Sequence, residues 1–132
     1  MHFEVDPHAA QSPSEQLADQ VRSAVAAGRL ALGERLPTVR ALAEAVRVNP
    51  NTVSRAWREL ELEGVLEARR GDGVFVAGGA LAHCRRHRDD VVAERLASAT
   101  REALAAGLDS NAVLALVRGE LTASAKAKGK AS

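Results

Sequence analysis

The sequence contains no tyrosine, no isoleucine, one tryptophan and two phenylalanines, so aromatics make up 2% of its 132 residues. Its core must therefore be assembled from small aliphatic pieces, and the 27 Ala, 15 Leu and 14 Val that supply them favour helices. A single cysteine, Cys84, excludes an internal disulfide and points to a reducing cytoplasm. No apolar run approaches the roughly 18 residues of a membrane span, and the first residues lack a basic-then-apolar signal layout. A soluble, cytoplasmic protein without a membrane partner is expected. A dominant sign of charge is missing as well. The 18 Lys plus Arg stand against 17 Asp plus Glu, a net +1, so any case for a nucleic-acid partner must come from where the charges lie. Fifteen of the cations are Arg, and the three Lys (Lys126, Lys128, Lys130) all fall in the last seven residues, which marks the tail as a different kind of segment.

Start and stop signals divide the rest. Phe3-Glu4-Val5, closed by Asp6-Pro7, could form an edge strand at most. Ser12-Pro13-Ser14-Glu15 combines a hydroxyl cap, a first-position Pro and a Glu three residues after the cap, and Leu17, Val21, Ala24 and Val25 follow at helical spacing up to Gly28. After a connector holding Leu30, Leu32, Gly33 and Leu36, Thr38 can cap a short second helix through Val46. Only Arg47 and Val48 precede the next start at Asn49-Pro50, and that third helix is expected to reach Glu63 and stop at Gly64. Its stripe of Val53, Ala56, Trp57 and Leu60 leaves Asn51, Thr52, Ser54, Arg55 and Arg58 facing largely outward. Val65–Arg69 and Val74–Ala77 are strand-like runs around Arg70-Gly71-Asp72-Gly73, a hairpin signal.

Beyond Gly78-Gly79 the pattern turns helical from about 82 to 106, where Val92, Leu96, Ala99, Ala103 and Ala106 keep the 4-3-4-3 spacing of an apolar seam. Asp109 or Ser110 can cap a last helix holding Val113, Leu114, Leu116, Val117 and Leu121. From Ser124 the Ala/Lys/Gly/Ser tail has nothing to bury and is expected to be disordered. The expected fold is mainly α with a small β-wing: a winged helix-turn-helix domain over 1–79, a C-terminal two-helix dimerisation element over 80–123, and a tail over 124–132.

Two short helices joined by a tight turn and followed by a hairpin suit DNA, because the second helix can set its first-turn side chains on base edges while its dipole favours phosphate. Compact three-helix units also serve in protein contacts. The run Gly28-Arg29-Leu30, then Gly33-Glu34-Arg35-Leu36-Pro37-Thr38-Val39-Arg40-Ala41-Leu42-Ala43, Val48-Asn49-Pro50-Asn51-Thr52-Val53, Arg55-Ala56-Trp57-Arg58-Glu59-Leu60-Glu61, Glu63-Gly64-Val65 and Gly71-Asp72-Gly73-Val74-Phe75-Val76 resembles the GntR family of bacterial transcription regulators. The Val-Asn-Pro-Asn-Thr-Val form and the short C-terminal region resemble its YtrA-like branch. The resemblance covers roughly residues 3 to 121, and so many fixed points in one order are far more specific than a single motif.

That resemblance implies a homodimer binding double-stranded operator DNA of inverted-repeat form, usually as a repressor, often of a neighbouring transporter operon. Arg40 matches a DNA-contacting Arg at the start of the second helix and can pair bidentately with guanine, or else touch phosphate or face solvent. Asn51 and Thr52 match first-turn reading positions, whereas Asn49 suits the cap better than a base. Ser54 lies on the same face, and Arg55 and Arg58 suit phosphate anchoring, with pairing to Glu59 or Glu61 as the alternative. Arg69, Arg70 and Gly71 match a wing that approaches the minor groove.

Three residues depart from the family pattern. Arg47 stands where Gly is frequent, so either it adopts a left-handed conformation at about 1 kcal/mol or the turn differs. Pro50 replaces a base-reading Arg of other branches, and Asp72 puts an acid at the wing tip.

Val92, Leu96, Ala99, Ala103, Leu114, Val117 and Leu121 are the candidate dimer contacts, since two helices of this length cannot bury that seam alone. Half-sites would then lie about 34 Å apart. His83-Cys84-Arg85-Arg86-His87 holds three potential ligands with no fourth nearby, so no metal, cofactor or catalytic residue is expected, and an exposed junction is the simpler reading. Two rival classes remain: a small-molecule sensor whose effector sits between the C-terminal helices and the reading domain, and a protein-interaction module.

Overall fold

The structure, a computed structural model, describes residues 1–131. Five helices and one hairpin follow in the order α1 (Pro13–Ala26), α2 (Val39–Val46), α3 (Pro50–Glu63), β1 (Leu66–Arg69), β2 (Gly73–Val76), α4 (Ala80–Ala105) and α5 (Ser110–Ala131). Four of the five helix starts have a local side-chain cap. Ser12 Oγ accepts from the Glu15 N–H at 3.2 Å, Thr38 Oγ1 from Ala41 N–H at 3.1 Å and Asn49 Oδ1 from Asn51 N–H at 2.8 Å. These caps satisfy amides that the first helical turn leaves without an intrahelical partner. Asn49 is thereby a cap, and Asp109, whose Oδ1 accepts from Ala112 N–H at 2.8 Å, is the side chain that caps α5.

The chain divides into two compact units, Met1–Asp89 and the remainder from Asp90. In the first, α1 and α3 cross over a core in which Leu17, Val21, Val25, Val53, Leu60, Val65 and Val76 are fully buried. The scarce aromatics sit together there, with the Phe3 and Trp57 rings 6.1 Å apart. Phe3 is buried without a strand. The backbone on either side of Val5 pairs with amide side chains: Gln20 holds both the N–H and the C=O of Glu4, and Gln16 does the same for Asp6. The edge strand anticipated at Phe3–Val5 is thus replaced by two glutamines of α1 acting as its neighbour.

β1 and β2 pair antiparallel from Leu66↔Val76 to Arg69↔Gly73, leaving Arg70-Gly71-Asp72 as the loop. The turn is not the two-residue kind suggested by Asp-Gly. It closes from Asp72 N–H to Arg69 O at 2.9 Å, with Gly71 at φ +84 in its left-handed central position. The other edge of β2 is covered by the connector: Leu36 N–H donates to Val74 O at 2.8 Å, Val76 N–H to Glu34 O at 2.9 Å and Gly33 N–H to Val76 O at 3.0 Å. Residues 33–36 therefore act as a third strand of the wing, a long-range pairing that no local signal announces.

Two expectations about the C-terminal half are corrected. α4 begins at Ala80 and its first turns belong to the first unit, with Ala80 and Cys84 fully buried, so Cys84 joins the core while Arg85 and Arg86 stay exposed and His83 and His87 half-buried. Residues 124–131, expected to be disordered, continue α5 as helix. Alanine and lysine are among the strongest helix formers and no proline interrupts them, so propagation needs no buried face. Ser132 lies outside the described residues.

Candidate nucleic-acid interface

α2 and α3 are joined by a turn built on Arg47, which takes φ 58 and ψ 51 and sends its N–H to Ala43 O. Of the two alternatives open at this departure from the family pattern, the left-handed arginine is the one realised. The turn frees the start of α3, which buries Val53, Ala56, Trp57 and Leu60 and exposes Asn51, Ser54, Arg55 and Arg58. Thr52 is half-buried, while Arg40, second residue of α2, is exposed. Asn51, Arg55 and Arg58 recur at i, i+4, i+7 and so form one stripe opposite the core.

The availability of these arginines depends on what their neighbours do. Among the described residues, Arg40, Arg55, Arg58 and Arg70 have no carboxylate within salt-bridge reach. The anticipated alternative, Arg55 or Arg58 pairing along α3 with Glu59 or Glu61, is absent among the described residues, and two of the three acids of α3 are drawn elsewhere. Glu59 and Glu63 both turn to Arg22 of α1, a guanidinium in a residue only 8% exposed. Arg22 reaches Asp19 at 2.7 Å and Glu59 at 3.2 Å, and pairs with Glu63 through two hydrogen bonds. His83 Nε2 lies 3.1 Å from Glu63 Oε2, the oxygen that also accepts from Arg22 Nε.

The pairing with Glu63 and the flanking acids raises the pKa of Arg22 further, and the hydrogen bond from Arg22 holds the Glu63 carboxyl below its usual range. Burial pushes the neighbouring Cys84 thiol up. The wing behaves differently. Arg69 lies 4.2 Å over the Phe75 ring and 4.0 Å from Glu67, so it is partly committed to the hairpin, while Arg70 and Gly71 at the loop are exposed. Asp72 is exposed beside them.

The sequence profile described as bacterial regulatory proteins, gntR family, matches residues 13–76, which run from the first helical residue of α1 to the end of β2. The HTH-type transcriptional repressor YtrA of Bacillus subtilis is 33% identical over 107 residues, 81% of this chain and 82% of its own. The chain belongs to the gntR family. Within it the similarity to YtrA along most of both chains places it in the YtrA-like branch, and it is a DNA-binding transcriptional regulator, not an enzyme. A second Bacillus subtilis relative, the HTH-type regulator YhcF, is 35% identical over 80% of each chain. The crystal structure of a transcriptional regulator from Oenococcus oeni superimposes with a TM-score of 0.71 and 28% identity, covering 90% of this chain and 99% of that one.

The gntR-type reading head thus accounts for the first unit as far as β2, and the second unit has a different character. α5 is 22 residues long, and no side chain described on it is buried. Val92, Leu96, Leu114, Val117 and Leu121 are between 38% and 65% exposed, Ala99 is exposed and Ala103 half-buried. Leu104, Leu108 and Leu116, outside the seam proposed from spacing, are exposed too. Among the described residues no three His, Cys, Asp or Glu side chains converge as a metal site, and no helix is long and apolar enough to cross a membrane.

Two features went unread in the sequence. Arg22 interrupts an otherwise apolar stripe of α1, which is the signal that could have exposed the buried ion cluster. Arg35 lies against Gly73, where a Cβ would come within 2.9 Å of its Nε, a mobile side-chain end that could give way, so it is the φ of +117 that favours glycine there.

Proposed function

We propose that this regulator is a homodimeric repressor that reads an inverted-repeat operator. In this reading Arg40 pairs with guanine, Asn51 and Thr52 contact base edges, Ser54, Arg55 and Arg58 hold the phosphate backbone, and Arg69, Arg70 and Gly71 bring the wing to the minor groove. The observation that carries it is the segregation of charge on α3. Glu59 and Glu63 are engaged by Arg22 of α1, Glu61 is exposed, and among the described residues Arg55 and Arg58 have no carboxylate partner. Such cations give up only hydration and counterions when they meet phosphate.

The dimer is supported by the exposure of Val92, Leu96, Leu114, Val117 and Leu121 beside Ala99 and Ala103, apolar surface that a partner helix would cover. A second copy is the economical partner, since two-fold symmetry in the protein matches an inverted repeat with half-sites about 34 Å apart. Repression of an adjacent operon, including one for a transporter, is the output we assign.

The test is DNA affinity by fluorescence anisotropy on the promoter upstream of the chain's own gene, with a shuffled duplex beside it. Arg40→Ala should lose discrimination between the two, at about 1–3 kcal/mol. Arg58→Ala should weaken both alike and lower the salt slope by about one. Equal loss on both duplexes for Arg40→Ala refutes its assigned role, and binding that ignores salt refutes the interface.

A further inference from the structure

A cavity of about 350 Å³ lies within the first unit, where the end of α1, the connector, the end of β2 and the first turn of α4 meet. Its floor is apolar, made by the buried Val25, Leu30 and Val76. Its rim carries Leu32 and Leu81, 66% and 42% exposed, and a single charged side chain, Arg85. Two features separate it from an ordinary surface dimple. The rim leucines leave apolar surface in water although an apolar floor lies beside them, and burial of such surface is worth about 25 cal/mol per Å². Arg85 is held by one long hydrogen bond, Nε to Ala26 O at 3.4 Å, and no carboxylate pairs with it among the described residues. No acid lines the cavity to compete for that guanidinium. The volume falls in the range of about 300–1,000 Å³ that accommodates small ligands.

We infer that this cavity is a binding site for a small amphipathic carboxylate, its apolar body on Val25, Leu30 and Val76 and its carboxylate on Arg85. A guanidinium and a carboxylate form the strong, bidentate class of hydrogen bond, and the apolar body closes Leu32 and Leu81 over itself. The ligand also meets the wing, because Val76 exchanges backbone hydrogen bonds with Gly33 and Glu34 at the edge of β2. Occupancy is therefore coupled to DNA affinity, and this coupling, unlike the binding, rests on the DNA-reading role proposed for the wing.

The experiment titrates the full chain, without DNA, with octanoate, octan-1-ol and octylammonium by calorimetry. Octanoate should saturate one site per chain, octanol should bind about tenfold more weakly, and octylammonium should not bind. Arg85→Met should bring octanoate down to the octanol level. Leu81→Asp places a like charge on the rim, at a helix start where an acid is favourable, so octanoate binding should disappear while the melting temperature holds. Equal binding of octanoate and octanol, octanoate affinity unchanged in both variants, or no saturation up to millimolar concentration each overturns the site. A final arm repeats the operator titration with octanoate present. Unaltered DNA affinity at saturating octanoate overturns the coupling, whereas absence of operator binding by the free protein refutes the DNA role and leaves the calorimetric result standing.

Discussion

Arg47 allows a prediction in which the usual ranking of two residues reverses. In an ordinary helix interior, glycine is worse than alanine by roughly 0.5–1 kcal/mol because it loses more backbone freedom on folding. Arg47 sits at φ 58, ψ 51, where any side chain brings its Cβ against the following carbonyl at roughly 1–2 kcal/mol. Glycine escapes that cost but keeps the entropic one, so Arg47→Gly should be more stable than Arg47→Ala by about 1 kcal/mol. The alanine variant isolates the effect, since both changes remove the guanidinium and only one keeps the Cβ. In a domain of about 60–100 residues 1 kcal/mol moves the midpoint by roughly 4–8 °C, and the first unit spans Met1–Asp89. A rise of about 5 °C for Gly over Ala is expected in far-ultraviolet circular dichroism melts without DNA, at one fixed protomer concentration. A glycine variant no more stable than the alanine variant would refute the strain assigned to this turn.

The buried charges and the exposed seam lead to three more outcomes. Arg22→Ala leaves Asp19, Glu59 and Glu63 facing one another without a cation, and should cost about 3 kcal/mol in urea unfolding, the low end for a broken buried pair because the acids keep some solvent. The folded-state pKa of Glu63 lies below its unfolded value, so its contribution is full at neutral pH and is lost as pH falls through the carboxylate range. Glu63→Gln should accordingly flatten the acid limb of a stability-against-pH profile, and an unchanged limb would show that Glu63 is not its source. Leu96→Asp places a charge in the seam and should shift the sedimentation mass at micromolar concentration from two chains to one, leaving the first unit's melt in place.

What could be read directly from the chain was whatever is decided within a few residues. Ser12, Thr38, Asn49 and Gly64 end their helices through hydrogen bonds or backbone angles confined to one turn, so their positions are written locally. The outward face of α3 was legible for the same reason, as the complement of Val53, Ala56, Trp57 and Leu60. The freedom of the arginines on that face was not legible, because it depends on Glu59 and Glu63 meeting Arg22, a partner 37 and 41 residues away in sequence. Distance hid the third strand of the wing too, since residues 33–36 pair with β2 some forty residues later. The inward turn of Cys84 and the helical end of α5 escaped for opposite reasons. One depends on tertiary packing, and the other needs only the intrinsic preference of alanine and lysine.

The ion cluster around Arg22 also bears on how such a regulator changes over time. Because Glu59 and Glu63 are tied to α1 while Asn51, Arg55 and Arg58 are exposed, the ion cluster and the residues proposed to read the operator lie on different faces of one helix. Substitutions at Asn51, Arg55 or Arg58 break no ion pair among the described residues, so their effects on folding should be small. On the proposed reading, a lineage can retune the DNA it recognises one side chain at a time, without passing through an unfolded intermediate. Changes at Glu59 or Glu63 lack that freedom, since each disturbs a charge shared between helices.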